Sequence, residues 1–92
     1  MKLRITAGAE SDLDAIYAYV GNDSPAAADE QLETILTAIG RLAETPLMGR
    51  PGKVPDTREL VIVGTSYLAV YRLTADTVFI LRVLHGRRRW QF

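Results

Sequence analysis

The segment TPLMGRPGKVPDT, residues 45–57, holds three prolines and two glycines in thirteen positions. Proline removes a backbone donor and fixes φ, and glycine weakens any regular preference, so neither a helix nor a central strand is expected there. Too little chain follows it to build a second core, which makes it a loop inside one domain, residues 1–92, and not a linker. Its weight lies in what changes across it. Apolar residues before it recur at helical spacing, whereas those after it run in short blocks broken by turn residues. Helices first and strands afterwards give an α+β domain.

The elements follow in order. KLRIT at 2–6 alternates and reads as a short strand, with Leu3 and Ile5 on one face. Thr6 offers a helix cap, and Ala9, Leu13, Ile16, Tyr17 and Val20 form one apolar stripe ending near GNDSP. Ser24 as cap and Pro25 in the first turn open a second helix, whose stripe is Leu32, Ile35, Leu36, Ile39 and Leu42. So short a link predicts an antiparallel helical hairpin. RELVIV, YLAVYRL and TVFILRVLH are three strands separated by the turns GTS and TAD, an antiparallel meander. The predicted order is β-α-α-β-β-β, an antiparallel sheet with the hairpin packed on one face.

Several functions are excluded before any site is considered. Without cysteine there are no disulfides or thiolate metal sites, and one histidine cannot make a histidine cluster, so neither metal nor cofactor is expected. No apolar run approaches the roughly 20 residues that span a bilayer, so the chain reads as soluble and cytoplasmic, with no membrane partner. The net charge of zero hides an asymmetry. Residues 1–46 carry three basic and eight acidic groups, and residues 47–92 carry eight basic and three acidic ones. A basic strand-rich half can meet an anionic partner, or it can simply be solvated.

The groups able to do chemistry lie in that half. Lys53, Arg58, Arg72, Arg82, Arg87, Arg88 and Arg89 could assemble a phosphate-binding surface if the uncovered sheet face presents them together. Singly, each reads first as a solubilising charge at a sheet edge, and only the tail cluster weighs evenly between the two roles. His85 is the one side chain that ordinarily titrates near neutrality, a candidate general base or a structural residue at a strand end. Arg82 and His85 are three apart, so a regular strand points them to opposite faces, and they share a site only if the strand ends or bulges between them. Tyr67 and Tyr71 share a face and read as core. Trp90 and Phe92 anchor the tail, on this chain's own edge or on a partner. Asp12 and Asp14 are two apart on a helix and form no acid–base pair, and neither a glycine-rich phosphate loop nor a nucleophile setting is present.

Taken together, AESDLDAIYAYV, SPAAADEQLETI, LAETPLMGRPG, TRELVI, YLAVYRL and VFILRVLHGRRRW resemble, in order and over nearly the whole chain, the segments of the RelE/ParE superfamily of type II toxin–antitoxin toxins, on its ParE (plasmid stabilisation) side. The resemblance implies a small toxin neutralised by a cognate antitoxin, whose acidic C-terminal segment wraps the toxin in a hetero-oligomer. It also implies one of two activities. ParE-like members inhibit DNA gyrase, and here Arg72, Arg82, Arg87, Arg88, Arg89 and Trp90 would bind the target. RelE-like members are metal-independent endoribonucleases that cut mRNA on the ribosome, and here His85, Arg82, Arg58 and Arg87 or Arg88 would be catalytic. Leu68 stands where RelE-like nucleases commonly carry a basic residue, the loop offers only Lys53, and Gly86 follows His85. These departures favour the gyrase-directed activity.

Overall fold

The computed structural model describes residues 1–86. Its elements are β1 (Lys2–Ile5), α1 (Ala7–Asp23), α2 (Pro25–Gly40), a 3-10 turn (Arg41–Ala43), β2 (Arg50–Pro51), β3 (Arg58–Val61), β4 (Tyr67–Leu73) and β5 (Thr77–His85). Both expected caps form. Thr6 Oγ1 accepts the Ala9 amide at 3.4 Å, and Ser24 Oγ accepts that of Ala27 at 3.2 Å, with Pro25 in the first turn. α1 runs through Gly21 to Asp23 before Ser24 turns the chain, so a single residue separates the two helices.

The sheet order is β1-β5-β4-β3-β2. The meander β3-β4-β5 is antiparallel as its short turns require, but β1 lies parallel to β5, so the sheet is mixed and not purely antiparallel. A connection of three to five residues dictates direction, whereas β1 and β5 are separated by the helical hairpin and the meander, which leave their direction unconstrained. The loop adds the two-residue β2, in which Arg50 faces Glu59 and Pro51 faces Arg58. Proline is tolerated there because the strand is an edge.

Helices and sheet bury one core. Ala9, Leu13 and Ile16 of α1 and Ile35 and Ile39 of α2 meet Leu60, Ile62, Ala69, Tyr71, Val78, Ile80 and Val83. Full burial of side chains of this size contributes about 1.5–3 kcal/mol each. Tyr17 and Leu36, expected in the stripes, are instead about 40 % exposed. Tyr17 donates its hydroxyl to Asp29 Oδ1 at 2.6 Å and so ties the two helices together from outside the core.

One irregularity governs side-chain direction at the end of β5. Val70 faces Arg82 but Tyr71 faces Ile80, so Leu81 is an extra residue, a β-bulge. The core-facing alternation Val78, Ile80 therefore resumes at Val83. Beyond the bulge the ladder is regular, from Val70 opposite Arg82 to Tyr67 opposite His85.

Candidate functional site

Arg82, Arg58 and Arg72 were each candidates to contact a target or a phosphate, and the structure gives them different surroundings. β1 ends at Ile5, so the edge of β5 beyond Ile80 is met by the start of α1. Thr6 Oγ1 donates to Ile80 O at 2.7 Å. Nearly two turns later Asp12 reaches the same edge. Its Oδ2 accepts from Arg82 Nε at 2.7 Å and from the Val83 amide at 2.9 Å, and its Oδ1 accepts from Arg82 Nη2 at 3.0 Å. The hydrogen bond to Asp12 holds the Arg82 guanidinium above its usual range. Gly8 allows the approach, since a Cβ there would stand 3.2 Å from Leu81 O.

Arg58 is also occupied. Its Nη1 donates to Gly49 O at 2.8 Å. Beside it, the buried Tyr71 hydroxyl accepts the Gly49 amide at 2.8 Å and donates to Pro46 O at 2.7 Å. Burial pushes the Tyr71 phenol up from its usual range, with the Gly49 amide and the Arg58 charge opposing. Glu59, only 3 % exposed, receives Arg50 Nη2 and the Lys53 amide, both at 3.3 Å. These contacts fasten the proline- and glycine-rich loop onto the sheet. Arg72 is different. It is exposed, lies over the Phe79 ring at 5.7 Å, and with Arg58, Asp56, Thr57, Pro51 and Leu73 lines a shallow hollow of about 440 Å³.

His85 stands opposite Tyr67, the two rings edge to face with centroids 5.8 Å apart. Tyr67 packs against the helix-covered core, so His85 lies on the helix side, while Arg82, opposite Val70, lies on the other face. Arg58 shares the helix side but faces Tyr71, four residues along β4 from Tyr67, roughly 13 Å at the strand rise. The suggested trio of His85, Arg82 and Arg58 is therefore not brought together. A bulge exists, but it precedes Arg82 and does not fall between Arg82 and His85. Leu68 is buried opposite Leu84. Arg87, Arg88, Arg89, Trp90 and Phe92 lie outside the described residues. Among the described residues, no three His, Asp or Glu side chains gather to hold a metal ion.

A surface whose residues the sequence did not single out lies at the other end of the sheet, beside the helical hairpin where the family resemblance implies that an antitoxin segment docks. A groove of about 760 Å³ runs between α2 and β3, with Glu30, Glu33, Thr34, Thr37, Ala38 and Arg41 on one wall and Met48, Leu60, Val61 and Val63 on the other. Val61 is 52 % exposed and Val63 87 %. One signal was available: RELVIV carries apolar residues at both alternations, as an edge strand does when something covers it.

Residues 3–90 match the family model described as the ParE toxin of the type II toxin–antitoxin system parDE. Y4kP of Sinorhizobium fredii, named as a toxin, is 43 % identical over 89 residues, covering 97 % of this chain and 92 % of that protein. Toxin RelE2 of Caulobacter vibrioides is 39 % identical over 78 residues, 85 % of this chain and 86 % of that one. Among solved structures, the chromosomal ParDE system of P. aeruginosa matches with a TM-score of 0.83 at 32 % identity, covering 92 % of this chain and 95 % of that chain. The RelBE2 toxin–antitoxin complex of Mycobacterium tuberculosis matches with a TM-score of 0.61 at 28 % identity, covering 91 % and 95 %.

Proposed function

The chain belongs to the ParE toxin family of type II toxin–antitoxin systems, and from that premise we propose that it is a protein-binding toxin that inhibits DNA gyrase and is held inactive by a cognate antitoxin. The observation that carries the choice of target is the dispersal of the groups a nuclease would need. Arg82 is bound to Asp12 on one sheet face, His85 packs edge to face with Tyr67 on the other, and Arg58 holds the loop. A metal-independent nuclease needs a base and cations converging within hydrogen-bond reach of one phosphate. A gyrase inhibitor needs only a surface. The exposed Arg72 and the arginines at 87–89, with Trp90, supply cationic and aromatic groups for it.

The antitoxin is the second part of the reading. Relatives of this fold include a ParDE system and a RelBE2 complex, and the groove between α2 and β3 offers apolar surface of the kind that a folding-on-binding segment covers. The complex is a toxin–antitoxin hetero-oligomer in the cytoplasm, where gyrase resides. Among the described residues no helix is long and apolar enough to cross a membrane.

The alternative is a ribosome-dependent endoribonuclease, favoured by the 39 % identity to a protein named RelE2. Inducible expression in a bacterium, scored in one culture for reporter-transcript cleavage and for trapped gyrase–DNA complexes, separates the two. Filamented cells with intact transcripts and trapped gyrase are expected. Codon-positioned cuts in translated messages with gyrase untouched would overturn the proposal in favour of the nuclease.

A further inference from the structure

The strand register sets two exposed arginines on either side of one aromatic ring. Val78 and Ile80 point into the core that the helices cover, so Phe79 between them points to the opposite sheet face. Phe79 is paired with Arg4 of β1 on one side and with Arg72 of β4 on the other. Directly paired residues of neighbouring strands project the same way, so Arg4, Phe79 and Arg72 form one row across three strands. At the spacing of adjacent strands, the Cα atoms of the two arginines stand about 10 Å apart. The Arg72 guanidinium lies 5.7 Å over the Phe79 ring, which steadies it in the row. Both arginines are exposed and Phe79 is half-buried.

The fold itself makes no use of these two charges. Arg82 is held by Asp12, Arg50 by Glu59, and Arg58 by Gly49 O. Lys2, on the same face as Arg4, meets Asp76 at 3.9 Å with both side chains 71 % exposed. Among the described residues, neither Arg4 nor Arg72 has an ion-pair or hydrogen-bond partner for its guanidinium. The acidic groups at this end of the face are Asp76, with Lys2, and Asp56, across the hollow beside Arg72. The cores of protein interfaces are apolar and depleted of charge, which a single half-buried ring between two full charges does not match. Interfaces with nucleic acid are the reverse, polar and strongly basic. DNA carries a phosphate about every 3.4 Å along each strand, so about three fall within the length of this row. Each guanidinium fork can take one of them without an exact register.

Resting on the gyrase reading above, we infer that Arg4, Phe79 and Arg72 dock the phosphodiester backbone of the DNA that gyrase holds. Arg4 and Arg72 each bind a phosphate oxygen, and Phe79 positions Arg72 for it. The row shares no residue with the dispersed set of His85, Arg82 and Arg58, so the contact is binding without cleavage. A toxin seated this way touches protein and DNA together. It therefore binds gyrase loaded with DNA more tightly than gyrase alone.

The test is binding of the full-length chain to gyrase, with and without a linear DNA duplex, at several salt concentrations. The wild-type chain should bind the gyrase–DNA complex at least about ten-fold more tightly than gyrase alone. Arg4→Gln with Arg72→Gln should lose that preference and keep the affinity for gyrase alone. On the DNA complex, the slope of log affinity against log salt should become shallower by about 1.8, about 0.9 for each phosphate released. Phe79→Leu keeps both charges but frees Arg72, and should lose about three-fold of the preference. Arg41→Gln, at an exposed position on the helical side of the molecule, should stay within about two-fold of wild type. Neither row arginine holds a partner in the fold, so the double variant should keep the wild-type Tm within about 3 °C. A wild-type chain with no preference for the DNA complex, or a double variant with an undiminished one, overturns the inference and leaves the gyrase reading standing. Equal losses with and without DNA assign the row to an acidic protein surface and overturn it as well. A wild-type chain that binds neither form of gyrase overturns the gyrase reading first and takes this inference with it.

Discussion

Asp12 and Arg82, seventy residues apart in sequence, meet in a two-point ion pair that also seals the open edge of β5. Asp12 holds Nε at 2.7 Å, Nη2 at 3.0 Å and the Val83 amide at 2.9 Å. With the Thr6 contact to Ile80, it joins the first helix to the last strand where the bulge at Leu81 interrupts the ladder.

Removing Asp12 should therefore cost more than removing Arg82. Asp12→Ala leaves the Val83 amide without its acceptor and turns the partly exposed Arg82 guanidinium over to solvent, a loss of about 2 kcal/mol. At about 4–8 °C per kcal/mol for a chain of this size, Tm should fall by roughly 10 °C or more. Arg82→Ala should cost about half as much, because Val83 keeps its acceptor. A thermal double-mutant cycle should return a coupling of roughly 1–2 kcal/mol, and zero coupling would mean that the pair is not formed in solution.

Gly49 should not accept a side chain. A Cβ there would stand 2.6 Å from the Tyr71 hydroxyl and 2.9 Å from Glu59 O, with buried groups behind both. Gly49→Ala should destabilise by about 2–3 kcal/mol, read as a lower urea midpoint. Tyr71→Phe, which removes the hydroxyl from the Gly49 amide and Pro46 O, should cost roughly 1–3 kcal/mol. The double variant should regain little of the Gly49→Ala loss, since a ring carbon of residue 71 at 2.7 Å and Glu59 O at 2.9 Å still obstruct the added Cβ.

Alkaline stability should depend on Tyr71. Burial raises its pKa in the folded chain above the ordinary value near 10.0. The unfolded chain then ionises first, so stability from this group is whole below about pH 10 and is lost as pH rises through the folded value. Urea titrations from pH 8 to 11 should show that decline, smaller in Tyr71→Phe. Tyr17 is also raised, by its hydrogen bond to Asp29, but it is exposed, so Tyr17→Phe should leave the slope nearly unchanged.

His85→Ala should leave toxicity nearly intact, because the ring packs on Tyr67 away from Arg82. Its cost should be structural, about 0.5–1.5 kcal/mol from the lost ring contact. Growth arrest after induction, measured beside the thermal stability of the same variant, checks this. A stable, folded variant without toxicity would make His85 the centre of an active site.

Much of this was written locally in the chain. Caps at Thr6 and Ser24, the stripes through Leu13 and Ile35, the proline- and glycine-rich loop and three strands with their turns each depend on neighbouring residues, so a linear reading finds them. It also foresaw that Arg82 and His85 would diverge, because strand alternation is a local property.

Tertiary structure decided what depends on distant partners. Nothing near Asp12 or Arg82 announces the other, nor that β1 would run parallel to β5, because no turn between them sets the direction. The bulge at Leu81 exists only as a mismatch between two strands, yet it selects which face Arg82 takes. Arg58 reads as a free cation until folding brings Gly49 O to it. The sequence by itself determined the elements and their residues, through short-range sterics and hydrophobic period. Which charges are spent on the fold, and which surface is left for a partner, was decided by long-range packing alone.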